Sequence, residues 1–206
     1  MINHRFRTAL GALALAASVA APAYTAEQAT APDTTSREFS AKLLMCTQCH
    51  GNNGTPVRPA IPIISGQQEN YLLKQLQDFR NKNRDVELMT WASITLHEEE
   101  MGAAAAFFAK KTWPAARPAQ AAKAAAPAAP RGIAVCQACH QTNFMGAPQA
   151  EGAPAPRLAG QNYDYLVETM RAYAAGERKN NATMQQIMAG MMPEDREAIA
   201  RYLSTL

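Results

Sequence analysis

The stretch VCQACHQ, residues 135–141, repeats an earlier one, MCTQCHG, residues 45–51. Each contains Cys-x-x-Cys-His, and the paired cysteines lie 90 positions apart. Similarity continues downstream. ISGQQENYLLKQLQDFRNKNR (64–84) parallels LAGQNYDYLVETMRAYAAGER (158–178) at an offset of 94. Gly66-Gln67 matches Gly160-Gln161, Tyr71-Leu72 matches Tyr165-Leu166, Phe79 matches Tyr173, and Arg84 matches Arg178. One further inserted residue brings Met89 opposite Met184, Glu100 opposite Asp195 and Phe107 opposite Tyr202. A period this long, with one motif per copy, reads as two globular domains rather than a solenoid. They span 35–113 and 131–206, joined by an Ala/Pro-rich linker at 114–130 in which Gln120 to Ala126 could form the first helix of the second domain.

The repeated segments are helical. Tyr71, Leu72, Gln75, Leu76 and Phe79 fall at i, i+1, i+4, i+5 and i+8, and Tyr165, Leu166, Thr169, Met170 and Tyr173 do the same. Each series is one stripe on a helix. MMPEDREAIARYLSTL opens a helix at Pro193 with acids in its first turn. HEEEMGAAAAFFAKK is its counterpart and ends on lysines. Before Cys46, TSREFSAKLLM reads as a short helix with Thr35 and Glu38 in capping-box spacing. No convincing alternating strand occurs, so the fold class is all-α, two small helical bundles in tandem. With only 7% aromatic residues, such cores are thin and call for a staple.

The N-terminus has a basic segment (His4, Arg5, Arg7), a thirteen-residue apolar run from Ala9 to Ala21, and a small-residue cleavage site at Ala21 to Ala23, with Ala26 as the second choice. This pattern is a secretory signal peptide over 1–23, too short to span a bilayer. It places the protein in the periplasm. Cleavage removes two of the 20 basic residues, leaving 18 against 17 acidic ones. That near-neutral balance argues against nucleic-acid binding and leaves peripheral membrane association open.

An exported chain with four cysteines would ordinarily suggest two disulfides. Here Cys46, Cys49, Cys136 and Cys139 all belong to Cys-x-x-Cys-His motifs. A thioredoxin-like redox pair wants a strand before it, and a zinc site needs a second pair of ligands per domain. The motif instead reads as c-type haem attachment, twice. The thiols bind the haem covalently, and His50 and His140 supply the proximal nitrogens to iron. The sixth ligand decides the chemistry. Met89 and Met184 are the candidates, because they match between repeats and each has an acid eleven residues on. Met188, Met191 and Met192 suit packing better, and His97 reads as the solvated start of a helix.

Two Cys-x-x-Cys-His domains, each followed by Gly-Gln, Tyr-Leu, an aromatic residue, an arginine and a methionine, resemble the cytochrome c4 family of di-haem class I cytochromes c. The resemblance covers nearly all of the chain beyond the signal peptide. It implies two covalent haem c groups and an electron carrier rather than an enzyme. It also implies that Pro62 and Pro156 each set a backbone carbonyl near the adjacent histidine ring. Members of the family carry electrons in the bacterial periplasm, towards a membrane oxidase or between other redox partners such as a reductase complex. The alternative is a haem subunit that accepts electrons within a periplasmic dehydrogenase or a sulfide-oxidising flavocytochrome. A di-haem peroxidase would need one displaceable sixth ligand, against a methionine candidate in each repeat.

Overall fold

Ser36 opens the first helix, its hydroxyl oxygen accepting the Phe39 amide at 3.1 Å. That satisfies one of the donors a helix start leaves free. The cap is therefore Ser36 and not Thr35. Glu38, expected to complete a box with Thr35, lies 3.2 Å from Lys42 one turn on. Helix α1 (Arg37–His50) also continues through the first Cys-x-x-Cys-His instead of ending before Cys46.

The computed structural model describes residues 35–114, 128–147 and 154–206. The expected signal peptide over 1–23, the expected helix at 120–126 and residues 148–153 lie outside them. After α1 come α2 (Glu69–Arg80), α3 (Glu87–Ile94) and α4 (Glu98–Ala109), then α5 (Ile133–His140), α6 (Tyr163–Ala174), α7 (Ala182–Ala189) and α8 (Pro193–Ser204). Helices α2, α3 and α4 have 12, 8 and 12 residues, and so do α6, α7 and α8. The repeat is thus carried element by element. A single bridge between Ala147 and Ala155 is all the β-structure among the described residues. No described helix is long and apolar enough to cross a membrane.

Each half is built around its second helix. In the first, α2 packs on α3 and α4; in the second, α6 packs on α7 and α8. The predicted stripes face inward, with Leu72 and Phe79, and Leu166, Met170 and Tyr173, all buried. The second core gathers Phe144, Ile199 and Leu203 as well. The first joins Leu72, Ala105 and Phe108, with Leu43 and Cys46 against them.

Lys42 ties α1 to α4, giving hydrogen bonds of 2.8 and 2.9 Å to the two carboxylate oxygens of the buried Glu100. Burial alone would raise the Glu100 pKa, but Lys42 and the His97 amide hold it below the ordinary value. A folded-state pKa below the unfolded one gives stability above the unfolded value, near 4.3, which is lost as pH falls through the folded value. Glu100→Gln is expected to be less stable than the wild type at neutral pH and to lose less stability on acidification. Thermal melts of both proteins between pH 7 and pH 3 check this.

Candidate haem-binding sites

Both histidines end a helix. His50 closes α1 and His140 closes α5, and both are buried. His50 Nδ1 lies 3.0 Å from the Pro62 carbonyl, and His140 Nδ1 lies 2.8 Å from that of Pro156. A carbonyl can only accept, so Nδ1 carries the proton in each ring. Burial lowers both histidine pKa values, favouring the neutral ring. The neutral ring then presents a bare Nε2 lone pair, the form a metal needs.

The proline loops are held alike in the two halves. Gly54 O accepts the amides of Ile64 and Ser65, and Phe144 O those of Leu158 and Ala159. Gly66 N donates to Phe108 O and Gly160 N to Leu203 O, both at 2.9 Å. The halves differ just after the histidine. Gly51 has φ 78 and ψ 156, a region reserved almost wholly for glycine, yet its counterpart Gln141 adopts φ 66 and ψ 163. Gln141→Gly should therefore stabilise the second half by about 1 kcal/mol, read as a rise in its denaturation midpoint.

Exposed apolar residues flank the cysteines in sequence, Leu44 and Met45 before Cys46 and Val135 before Cys136. No disulfide joins the four cysteines, and burial pushes up the pKa of the Cys46 and Cys136 thiols. Met184 packs against the second core together with Cys136 and Ile133. It is the third residue of α7, and its amide donates to the Asn181 side chain at 2.9 Å. Met89 holds the same position in α3 and is half-buried. Of the rival methionines, Met188 is buried in the core, Met191 packs on its edge and Met192 is exposed. His97 is exposed at the start of α4, as its sequence setting suggested.

A polar cluster joins the halves. Gln75 Oε1 accepts from Arg84 at 2.9 Å, from Arg178 at 2.9 Å and from Asn180 at 3.1 Å. Arg84 donates across to the Tyr165 hydroxyl and Arg178 to that of Tyr71, each at 3.3 Å. Arg84 Nε is buried without a hydrogen-bond partner. Burial raises the Tyr165 pKa, but Arg84 and Arg178 outweigh it and draw the phenol down to about 7. Burial lifts the Tyr71 pKa, and a charge on Tyr165 lifts it further. Two guanidinium groups, one with a buried N–H left without a partner, suit an anion. Haem carries carboxylates, so the residues present fit it.

Sequence reasoning found Gln67, Gln161, Tyr71, Tyr165, Arg84 and Arg178 only as matches between repeats. Their work across the halves was missed. The available clue was identity: these polar residues recur in both copies.

Two tandem helical halves, each presenting a Cys-x-x-Cys-His histidine with its Nδ1 proton on a proline carbonyl, define a di-haem class I cytochrome c. Residues 119–206 match the Cytochrome c family. The chain is 31% identical to cytochrome c4 of Pseudomonas aeruginosa over 175 residues, 81% of this chain and 86% of the other. It is 33% identical to the thiosulfate dehydrogenase electron acceptor of Stutzerimonas stutzeri, covering 79% of each. The solved cytochrome c4 of Acidithiobacillus ferrooxidans, described as supporting a complex-induced tuning of electron transfer, superposes with a TM-score of 0.65 at 26% identity, covering 79% of this chain and 99% of that one. The chain belongs to the cytochrome c4 family. It carries covalently bound haem c and is an electron carrier rather than an enzyme.

Proposed function

We propose that this cytochrome carries electrons between respiratory partners in the periplasm, towards a terminal oxidase. In this reading Cys46 and Cys49 hold one haem through thioethers, and Cys136 and Cys139 hold the other. His50 with Met89, and His140 with Met184, are the axial ligands. Haem iron, when bound, supplies a one-electron couple whose potential its ligands and surroundings set. The observation that carries the reading is the pair of His Nδ1 contacts to Pro62 O and Pro156 O, which fix both rings in the ligating tautomer. Arg84, Arg178, Tyr71 and Tyr165 are placed to receive carboxylates between the halves. Export rests on the basic and apolar pattern of residues 4–23.

The test is a visible spectrum of the purified protein, oxidised, reduced, and reduced with carbon monoxide. Two haems per chain, a sulfur-to-iron near-infrared band of matching strength and no carbon monoxide shift are expected. A strong shift on either haem would overturn the methionine assignment there.

One observation favours a second reading, an electron-accepting subunit of a periplasmic dehydrogenase or flavocytochrome complex. Val86, Leu88, Trp91 and Ile94 are exposed along α3, Trp91 by 62%. Their counterparts around α7 are Asn181, Thr183, Gln186 and Ala189. Exposed apolar residues in one repeat, set against mostly polar ones in the other, suit a partner on the first half. The likeness to a thiosulfate dehydrogenase electron acceptor agrees with this. Purification as a stable hetero-complex would support this second reading. A monomer reacting freely with several oxidases would count against it.

A further inference from the structure

We infer that the Gly-Gln glutamines are crossed positioning residues: Gln161 sets the proximal histidine of the first half, and Gln67 that of the second. This rests on reading His50 and His140 as the proximal ligands.

The contacts are reciprocal. Ile63 follows Pro62, the acceptor of the His50 proton. The Ile63 amide donates to Gln161 Oε1 at 2.9 Å, and Gln161 Nε2 donates back to Ile63 O at 2.9 Å. Arg157 follows Pro156, the acceptor of the His140 proton. The Arg157 amide donates to Gln67 Oε1 at 2.9 Å, and Gln67 Nε2 donates back to Arg157 O at 3.0 Å. Each glutamine thus pairs with one backbone residue as a neighbouring strand would, from the opposite half. Both are almost fully buried, at 3% exposure for Gln67 and 2% for Gln161. Each is steadied by the next amide: Gln68 N donates to Gln67 Oε1 at 3.1 Å and Asn162 N to Gln161 Oε1 at 2.8 Å.

The halves are not held equally. Asn162 Nδ2 donates to Ile61 O at 2.6 Å, so second-half side chains grip the residues on both sides of Pro62. The matching Gln68 donates instead to Met145 O at 2.9 Å. The residue before Pro156, Ala155, is bonded within its own half to Ala147. The first site therefore depends more on its neighbour than the second does.

A carbonyl that holds the Nδ1 proton makes the ring a stronger donor to the metal and favours the oxidised state. Releasing Ile63 frees Pro62 to drift and weakens that bond. The potential of the first half then rises, although the substitution lies in the second. Glutamines serving only as glue between the halves would move neither potential selectively.

The experiment is a redox titration of the full chain, wild type against Gln161→Leu and Gln67→Leu. It follows the paramagnetically shifted haem methyl resonances, assigned to each half by contacts to that half's side chains. Gln161→Leu is expected to raise the first-half potential so that its ferrous-to-ferric ratio at fixed poise changes about fivefold, with the second half nearly unmoved. On a scale where tenfold is 59 mV, that is about 40 mV. Gln67→Leu is expected to raise the second half, by less. Movement of the substituted half alone, equal movement of both, or movement of neither overturns the inference. Should Gln161→Leu not fold, Asn162→Ala releases Ile61 alone and is expected to give a smaller rise confined to the first half; no such rise would also overturn it. A wild-type titration lacking two haem steps would overturn the ligand reading itself, before any variant is made.

Discussion

Met184→Ala is expected to open one of the two haems to carbon monoxide and to leave the other closed. Half of the near-infrared sulfur-to-iron band disappears with it. The potential of the second half falls by on the order of 100 mV, within the ~0.8 V that axial ligands span. The expectation follows from where the side chain sits. The Met184 backbone amide donates a hydrogen bond to the Asn181 side-chain oxygen at the start of α7, and the residue packs on the core that also meets Cys136. Its neighbour Met188 supplies the control. Met188 is 2% exposed in the same core, so Met188→Ala should cost about 2–5 kcal/mol of stability and admit no carbon monoxide. If Met184→Ala keeps both haems closed, the sixth ligand of the second half is another residue, and Met191 on the edge of that core is the first to examine.

The features that could be read from the sequence are those with local periods. The stripes beginning at Tyr71 and Tyr165 became α2 and α6, and Pro193 became the first residue of α8. The inserted residue after Arg178 appears as a longer turn between α6 and α7 than between α2 and α3. The cap at Ser36 was missed by one position because Ser36 and Thr35 are both competent caps, and the choice turns on where the backbone begins to coil. The left-handed backbone at Gln141 could not be read because a glutamine carries no sign of it; only the glycine at position 51 of the other repeat hinted at the conformation. The crossed contacts were out of reach for a different reason. The partners of Gln161 and Arg178 lie 98 and 103 residues away, and nothing local to either residue says which surface will meet it.

Two arginines of the second half show how burial decides a charge's worth. Arg171 is 49% exposed by side chain and pairs with Glu168 and Glu177 at the surface. Water and salt replace most of that interaction, so Arg171→Ala should leave the denaturation midpoint almost unmoved. Arg178, seven residues on, is 6% exposed. It reaches Gln75 at 2.9 Å and the Tyr71 hydroxyl at 3.3 Å in the other half, and it stacks 4.5 Å over the Tyr173 ring. Its removal withdraws charge-assisted bonds from the buried Gln75 and the half-buried Tyr71. Arg178→Ala is therefore expected to cost about 3 kcal/mol, on the order of two such bonds, measured by chemical denaturation of the haem-loaded protein. Arg178→Lys keeps the charge but loses the planar fork, so it should recover only part of the loss. A double-mutant cycle with Tyr71→Phe isolates the contact across the halves, with an expected interaction energy of about 0.5–3 kcal/mol. An interaction energy near zero would mean that the Tyr71 hydroxyl carries none of the loss and that Arg178 acts across the halves through Gln75.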